Sequence, residues 1–112
     1  MRWGFDLDGT LDHLEIRNLA NFLFDQGEEV HVLTGFVPGG SYTAVMKAEK
    51  LQRLGCRYTR LHLCEGQTME EIGYAKSVLL NRHGIALMVD DDPTFLKQMA
   101  YYSRARLLMV VR

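Results

Sequence analysis

The residues of this chain best suited to chemistry are Asp6 and Asp8, set in the run Phe5-Asp6-Leu7-Asp8-Gly9-Thr10-Leu11. An apolar stretch that stops at two carboxylates and a glycine reads as a strand released into a loop. The acids are then exposed at its carboxyl end, where open α/β sheets bind ligands. Asp and Gly after a strand are also ordinary turn residues, so the rest of the chain has to supply the context. It offers Thr34-Gly35 after a β-branched run, Lys76, and the acidic triplet Asp90-Asp91-Asp92 after another apolar run. Carboxylates crowded together repel one another unless a cation stands between them, and an oxygen-rich set of this kind suits Mg²⁺.

Positioning these groups on one rim requires alternating strands and helices, and the pattern of the chain supplies them. Trp3 to Leu7 reads as a first strand. Asp12 with Glu15 has the form of a capping box, after which Ile16, Leu19, Ala20 and Leu23 recur at helical spacing until Gly27. Val30 to Thr34 reads as a second strand, Pro38-Gly39-Gly40 as a loop, and Ser41 to Leu54 as a helix closed by Gly55. Tyr58 to Cys64 is a third strand, and Thr68 with Glu71 caps a helix running through Arg82. Ile85 to Val89 is a fourth strand. Asp92-Pro93 fits an N-cap followed by proline at the first helical position, opening a helix to Ser103, and Leu107 to Val111 is a fifth strand. This order predicts a single domain over residues 1–112, an α/β fold with a doubly wound parallel five-stranded sheet. With strands two and three on one side of strand one and strands four and five on the other, the switch point falls beside strand one. Helices one and two then cover one face, and helices three and four the other.

Composition excludes several classes. With 112 residues, 47% of them hydrophobic, the chain suffices for one core. A net charge of −1, from 13 basic and 14 acidic side chains, gives no general polyanion-binding surface, although Arg53, Arg57 and Arg60 form a local basic group. Cys56 and Cys64 have neither scaffold nor zinc spacing, which points to a reducing, cytoplasmic setting. No apolar run approaches the roughly 20 residues of a membrane span, and the early Asp6 argues against a signal peptide, so a soluble protein without membrane association is expected.

Taken together, Phe5-Asp6-Leu7-Asp8-Gly9-Thr10, Val32-Leu33-Thr34-Gly35, Lys76 and Met88-Val89-Asp90-Asp91-Asp92-Pro93 resemble the four motifs of the haloacid dehalogenase superfamily of phosphotransferases and phosphohydrolases. The resemblance spans essentially the whole chain. It implies a Mg²⁺-dependent phosphomonoester hydrolase working through an aspartyl phosphate, with Asp6 as nucleophile and Asp8 as general acid and later base. By the same resemblance Thr34 and Lys76 complete the catalytic set. Leu7, Thr34, Gly35 and Lys76 hold phosphate, and Asp6, Asp8, Asp90 and Asp91 hold the metal, with Asp91 the direct ligand and Asp90 in direct or water-mediated contact. Asp92 is assigned to capping. The chemistry is coherent without the family, since a phosphate monoester needs an in-line nucleophile, an acid for the leaving oxygen and positive charge on the equatorial oxygens. Rivals to Lys76 are Lys47, Lys50 and Arg82.

The chain departs from that pattern in having no cap. Only 21 residues lie between Asp8 and Val30, and helix one uses nearly all of them. A lidless rim favours a phosphate carried on something large, a nucleic-acid end or a phosphoprotein, or a second copy of the chain as roof. The apolar edge Leu107 to Val111 fits a homo-oligomer unless Arg104, Arg106 and Arg112 shield it. The alternative function is a catalytically silent phosphate-binding or assembly module, against which stand the intact Asp6 and Asp8. A phosphoreceiver module is a poor match, because it would need its acceptor after strand three, which ends Leu63-Cys64-Glu65. An EF-hand fails at position twelve, Arg17. His13, His31, His62 and His83 lack ligand spacing and read as ordinary surface or strand histidines. Phe22, Tyr42, Met46, Phe95 and Met99 read as core packing.

Overall fold

A computed structural model describes residues 1–111. The elements are β1 (Arg2–Phe5), α1 (Leu14–Asp25), β2 (Glu29–Phe36), α2 (Ala44–Arg53), β3 (Arg60–Glu65), α3 (Met69–Arg82), β4 (Leu87–Asp90), α4 (Pro93–Tyr102) and β5 (Arg106–Met109). All strand pairings are parallel, in the order β3-β2-β1-β4-β5. This is the doubly wound five-stranded sheet that the alternation predicts, with its switch point beside β1. No helix is long and apolar enough to cross a membrane among the described residues.

Period-two alternation builds the layers. On β2, Val30 and Val32 face a core made with Phe5, Ala20, Leu23 and Leu51, so α1 and α2 cover that face. Leu33 points the other way, into a core with Cys64, Ile72, Leu80, Leu96 and Met99 under α3 and α4. Phe5 pairs with Val32 on one side and Val89 on the other, so β1, β2 and β4 end on one rim.

Two helix starts follow the sequence. Thr68 Oγ1 accepts from the Glu71 amide at 3.2 Å, and Asp92 Oδ1 from the Thr94 amide at 2.8 Å. The first does not. Asp12 is drawn back to accept from the Gly9 amide at 2.6 Å, His13 occupies the N-cap position of α1 without a side-chain hydrogen bond, and no capping box forms. Helix α2 begins at Ala44 rather than Ser41, because Thr43 is the cap that meets a free amide, accepting from Met46 N at 3.2 Å. Strand β5 stops at Met109, and Arg112 lies outside the described residues.

The sheet is tight where β1 crosses its second core. A Cβ on Gly4 would lie 2.8 Å from Met88 Sδ and 3.2 Å from both Ile85 Cγ2 and Leu33 Cδ1. Overpacking of this kind costs about 1–3 kcal/mol, so Gly4→Ala is expected to lower the urea midpoint accordingly. A midpoint unchanged from the parent would mean that Met88 swings aside at no cost.

At the amino-terminal end of the sheet, His31 and His62 are buried side by side. Burial, then the neighbouring His83 and His31 and the Arg60 guanidinium, push the His62 pKa down to about 4. In the unfolded chain it titrates near 6.5. Between these values the unfolded state binds the extra proton, so stability is present above pH 6.5 and drains away as pH falls toward 4. Chemical denaturation across that window is expected to give a shallower pH slope for His62→Gln than for the parent, and equal slopes would remove His62 from the account.

Candidate active site

The rim where β1, β2 and β4 end is shaped by the turn Leu7–Leu11, whose backbone leaves helical values at Asp8 and Gly9. Gly9 has φ +83°, a left-handed conformation that costs a glycine nothing and other residues about 1 kcal/mol or more. Because β1 ends at Phe5, Asp6 and Asp8 leave the strand and part company. Asp6 turns toward α3 and Asp8 toward α2.

Asp6 lies on a buried ionic floor. Lys76 Nζ, wholly buried, is 3.0 Å from Asp6 Oδ1 and 2.8 Å from Asp90 Oδ2, and it sits 4.3 Å from the centroid of the Phe95 ring. Asp6, Asp90 and Asp91 offer oxygens within 4.8 Å of one another. Thr10 Oγ1 spans the group, 3.5 Å from Asp6 Oδ2 and 3.4 Å from Asp91 Oδ1. Burial raises the Asp6 pKa to about 7, Lys76 opposing and Asp90 adding to the rise. Burial also raises Asp90. Desolvation works against the charge on Lys76, but the two carboxylates beside it win and its pKa is raised. One lysine against three acidic groups leaves the floor short of positive charge.

Asp8 is held from the opposite wall. Its Oδ1 accepts from Lys50 Nζ at 2.7 Å and from the Tyr42 hydroxyl at 3.0 Å, and its Oδ2 accepts from Lys47 Nζ at 3.0 Å. Lys47, itself buried, also donates to Thr34 Oγ1 at 2.8 Å and lies over the Tyr42 ring. Partial burial works against ionisation of Asp8, but the hydrogen bonds from Lys50 and Lys47 prevail and hold its pKa below the ordinary value. Its carboxylate therefore stands apart from the acidic trio.

Between the two walls opens a cavity of about 520 Å³, lined by Asp6, Asp8, Thr34, Gly35, Tyr42 and Lys47 among others. Asp91 and Asp92 also line it, whereas Lys76 and Asp90 lie beneath and Leu7 buries its side chain in the core. Of the rivals to Lys76, Lys47 and Lys50 both reach the site, while Arg82 lies at the far end of the sheet beside His83. Tyr42 and Phe95, read from sequence as core, are site residues. Phe22 and Met46, read the same way, are largely exposed, whereas Met99 is core and Phe95 also packs against that core.

These residues fit a divalent cation on the chemistry of the donors: three carboxylates converge from the carboxyl ends of β1 and β4 with a single buried ammonium to balance them.

No protein-family model matches the chain, and no curated protein matches it. Solved structures do match. A chain of the Pnkp1/Rnl/Hen1 RNA repair complex superposes with a TM-score of 0.76 at 15% identity, covering 97% of this chain and 42% of that one. The present chain thus spans less than half the length of that protein. A universal stress protein family member from Burkholderia pseudomallei superposes with a TM-score of 0.56 at 14% identity, covering 96% of this chain and 94% of that one. A universal stress protein in complex with cAMP gives 0.61 at 13% identity, covering 97% and 95%. The haloacid dehalogenase assignment read from the sequence is overturned by these findings. Universal stress proteins match over nearly their whole length, and no family model supports the assignment. At such identities the likenesses establish a Rossmann-like α/β fold alone, and the four sequence segments describe a site on that fold.

Proposed function

We propose that the chain hydrolyses phosphate monoesters with Mg²⁺, through a covalent phosphoryl group on Asp6. The observation that carries this reading is the cavity floor: a desolvated Asp6 carboxylate fixed at Oδ1 by Lys76, with Thr34 and Lys47 across the cavity to receive phosphate oxygens. Asp6, Asp90 and Asp91 would hold Mg²⁺, which supplies the positive charge that the floor lacks and screens the substrate's phosphate from the carboxylates.

Asp6 Oδ2, the more weakly held oxygen, forms a bond to phosphorus as the ester P–O bond breaks and the leaving oxygen takes a proton. Asp8 is placed to give that proton only once it has gained one. At rest it is an ionised acceptor for Lys50, Lys47 and Tyr42. An arriving phosphate competes for Lys47, which already bridges Asp8 and Thr34, and the loss of that ammonium raises the Asp8 pKa toward proton carrying. Water then attacks the phosphoryl group, passes its proton to Asp8, and frees phosphate and Asp6.

The cavity is open at the rim, so the phosphate is carried on something that brings its own contacts. A nucleic-acid end comes first, in keeping with the RNA repair complex in which one structural neighbour occurs; a phosphoprotein or roofing by a second copy of the chain comes next. The test is phosphate release from 5′- and 3′-phosphorylated RNA and DNA oligonucleotides, a phosphopeptide and sugar phosphates, in Mg²⁺ and in EDTA. Mg²⁺-dependent release from at least one class is expected. A second reading, a phosphate-binding module without turnover, is favoured by the three-fold clamp on Asp8, and saturable binding with no release from any substrate would establish it instead.

A further inference from the structure

The other cluster of ionisable groups lies at the amino-terminal end of the sheet, away from the acids. There β2, β3 and the end of α3 bring His31, His62 and His83 together, with ring centroids 5.2, 5.9 and 4.5 Å apart. His31 Nε2 is 3.0 Å from Glu29 Oε1, and His31 Nδ1 is 2.9 Å from His62 Nε2. An ionised Glu29 can only accept, so His31 Nε2 donates to it, while His31 Nδ1 and His62 Nε2 share one proton between them. Two of the three rings are thereby committed to one another.

Beside them is a hollow of about 420 Å³ whose walls include Arg2, Arg60, Arg82, His83 and Thr59. Arg2 is engaged by Glu29 Oε2 at 3.0 Å and by the His83 carbonyl at 3.2 Å. Arg60 and Arg82 make no ion pair among the described residues. Thr59 Oγ1 accepts from Val30 N at 2.9 Å, which leaves its hydroxyl hydrogen to donate elsewhere. Three guanidinium groups against the single carboxylate of Glu29 make the hollow electropositive. That repels a metal ion in spite of the histidines, and the His trio does not form a convergent ligand set.

We propose that this hollow is a second anion site, which takes a phosphate group between the guanidinium groups of Arg60 and Arg82, with the Thr59 hydroxyl and the His83 ring as further donors. Guanidinium forks match phosphate oxygens in pairs, and a tetrahedral dianion satisfies both free forks at once. The site is independent of the chemistry assigned to Asp6. A bound dianion would also favour the imidazolium form of His83, which burial and then Arg60, His31, Arg82 and Arg2 now hold down. The charged and titratable groups facing that ring are Arg2, Arg60, Arg82, Glu29, His31 and His62.

The test is NMR of the histidine ring C–H resonances in EDTA, titrated separately with inorganic phosphate and with AMP, so that a free and an esterified phosphate are distinguished. Saturable shifts of His83 and His31 are expected, with His13 unmoved and the His83 titration midpoint moved upward. The Arg60→Gln/Arg82→Gln variant, altered only at exposed side chains, is expected to keep the parent spectrum and bind about tenfold or more weakly. Shifts that fail to saturate, equal affinity in the double variant, or saturation by Zn²⁺ in a separate titration without EDTA or phosphate would each overturn the proposal.

Discussion

Lys76→Met is expected to lower stability at neutral pH in EDTA by about 3–5 kcal/mol, the cost of removing one partner from a buried ionic cluster. At about 4–8 °C per kcal/mol for a domain near this size, the melting temperature falls by tens of degrees. Methionine fills most of the space of the lysine stem against Phe95, so the loss is electrostatic: Asp6 and the fully buried Asp90 lose the ammonium 3.0 and 2.8 Å away. Two further outcomes separate this cause from a packing defect. Both carboxyl groups already have raised pKa values, Asp6 to about 7, so the folded state binds the extra protons. Without Lys76 those pKa values rise above 7, so the variant takes up its protons at higher pH than the parent and should gain stability relative to the parent as pH falls from about 9 to 7. Mg²⁺ should also stabilise the variant more than the parent, for which about 1.4 kcal/mol is expected at ten times Kd. Calorimetry in EDTA and in Mg²⁺ at both pH values checks all three. A variant that melts with the parent, or that responds less to Mg²⁺, would mean that Lys76 does not balance the acids.

The sheet was legible because its signals are local. Apolar runs, Gly27, Gly55 and Gly84 at helix ends, and the Thr68 and Asp92 caps each act within a few residues, and crossover handedness does the rest. The rim was legible for the same reason, since a strand end and its first loop residues travel together. What escaped depends on contacts made across the fold. Asp12 with Glu15 satisfies a capping pattern, yet the Gly9 amide, released by the left-handed turn, claims the Asp12 carboxylate first. Lys47, Lys50 and Lys76 all sit on helices, where lysine is ordinarily solvated. Only the start of α2 at Ala44, set by Thr43, puts Lys47 and Lys50 one turn apart over Asp8. Tyr42 precedes that cap, so no helical spacing marks it. His31, His62 and His83 come from three elements, and strand register alone brings them together. The superfamily assignment failed for a different reason: short acidic and glycine-bearing segments at strand ends describe a place on a doubly wound sheet, and many chains share that place.

Asp6→Asn should abolish turnover by about four orders of magnitude or more, the scale seen when a nucleophile is removed. An amide oxygen cannot form the acyl phosphate, so acid-stable labelling of the protein by phosphate should vanish with it, while the exchange removes a buried charge and leaves the fold intact or firmer. Asp8→Asn should behave differently. The role proposed for it is to carry a proton to the leaving oxygen, so alkyl phosphates, whose leaving oxygens are basic, should lose far more than aryl phosphates that depart without help. The clamp from Lys47, Lys50 and Tyr42 sharpens the expectation. Asparagine keeps an accepting oxygen for Lys50 and Tyr42 and loses the acceptor for Lys47, which retains Thr34, so the wall keeps most of its contacts while the proton is lost. If both substrate kinds fall equally, Asp8 positions the lysines and the proton comes from elsewhere. If Asp6→Asn still turns over alkyl and aryl phosphates, water rather than Asp6 is the attacking group and the covalent route is wrong.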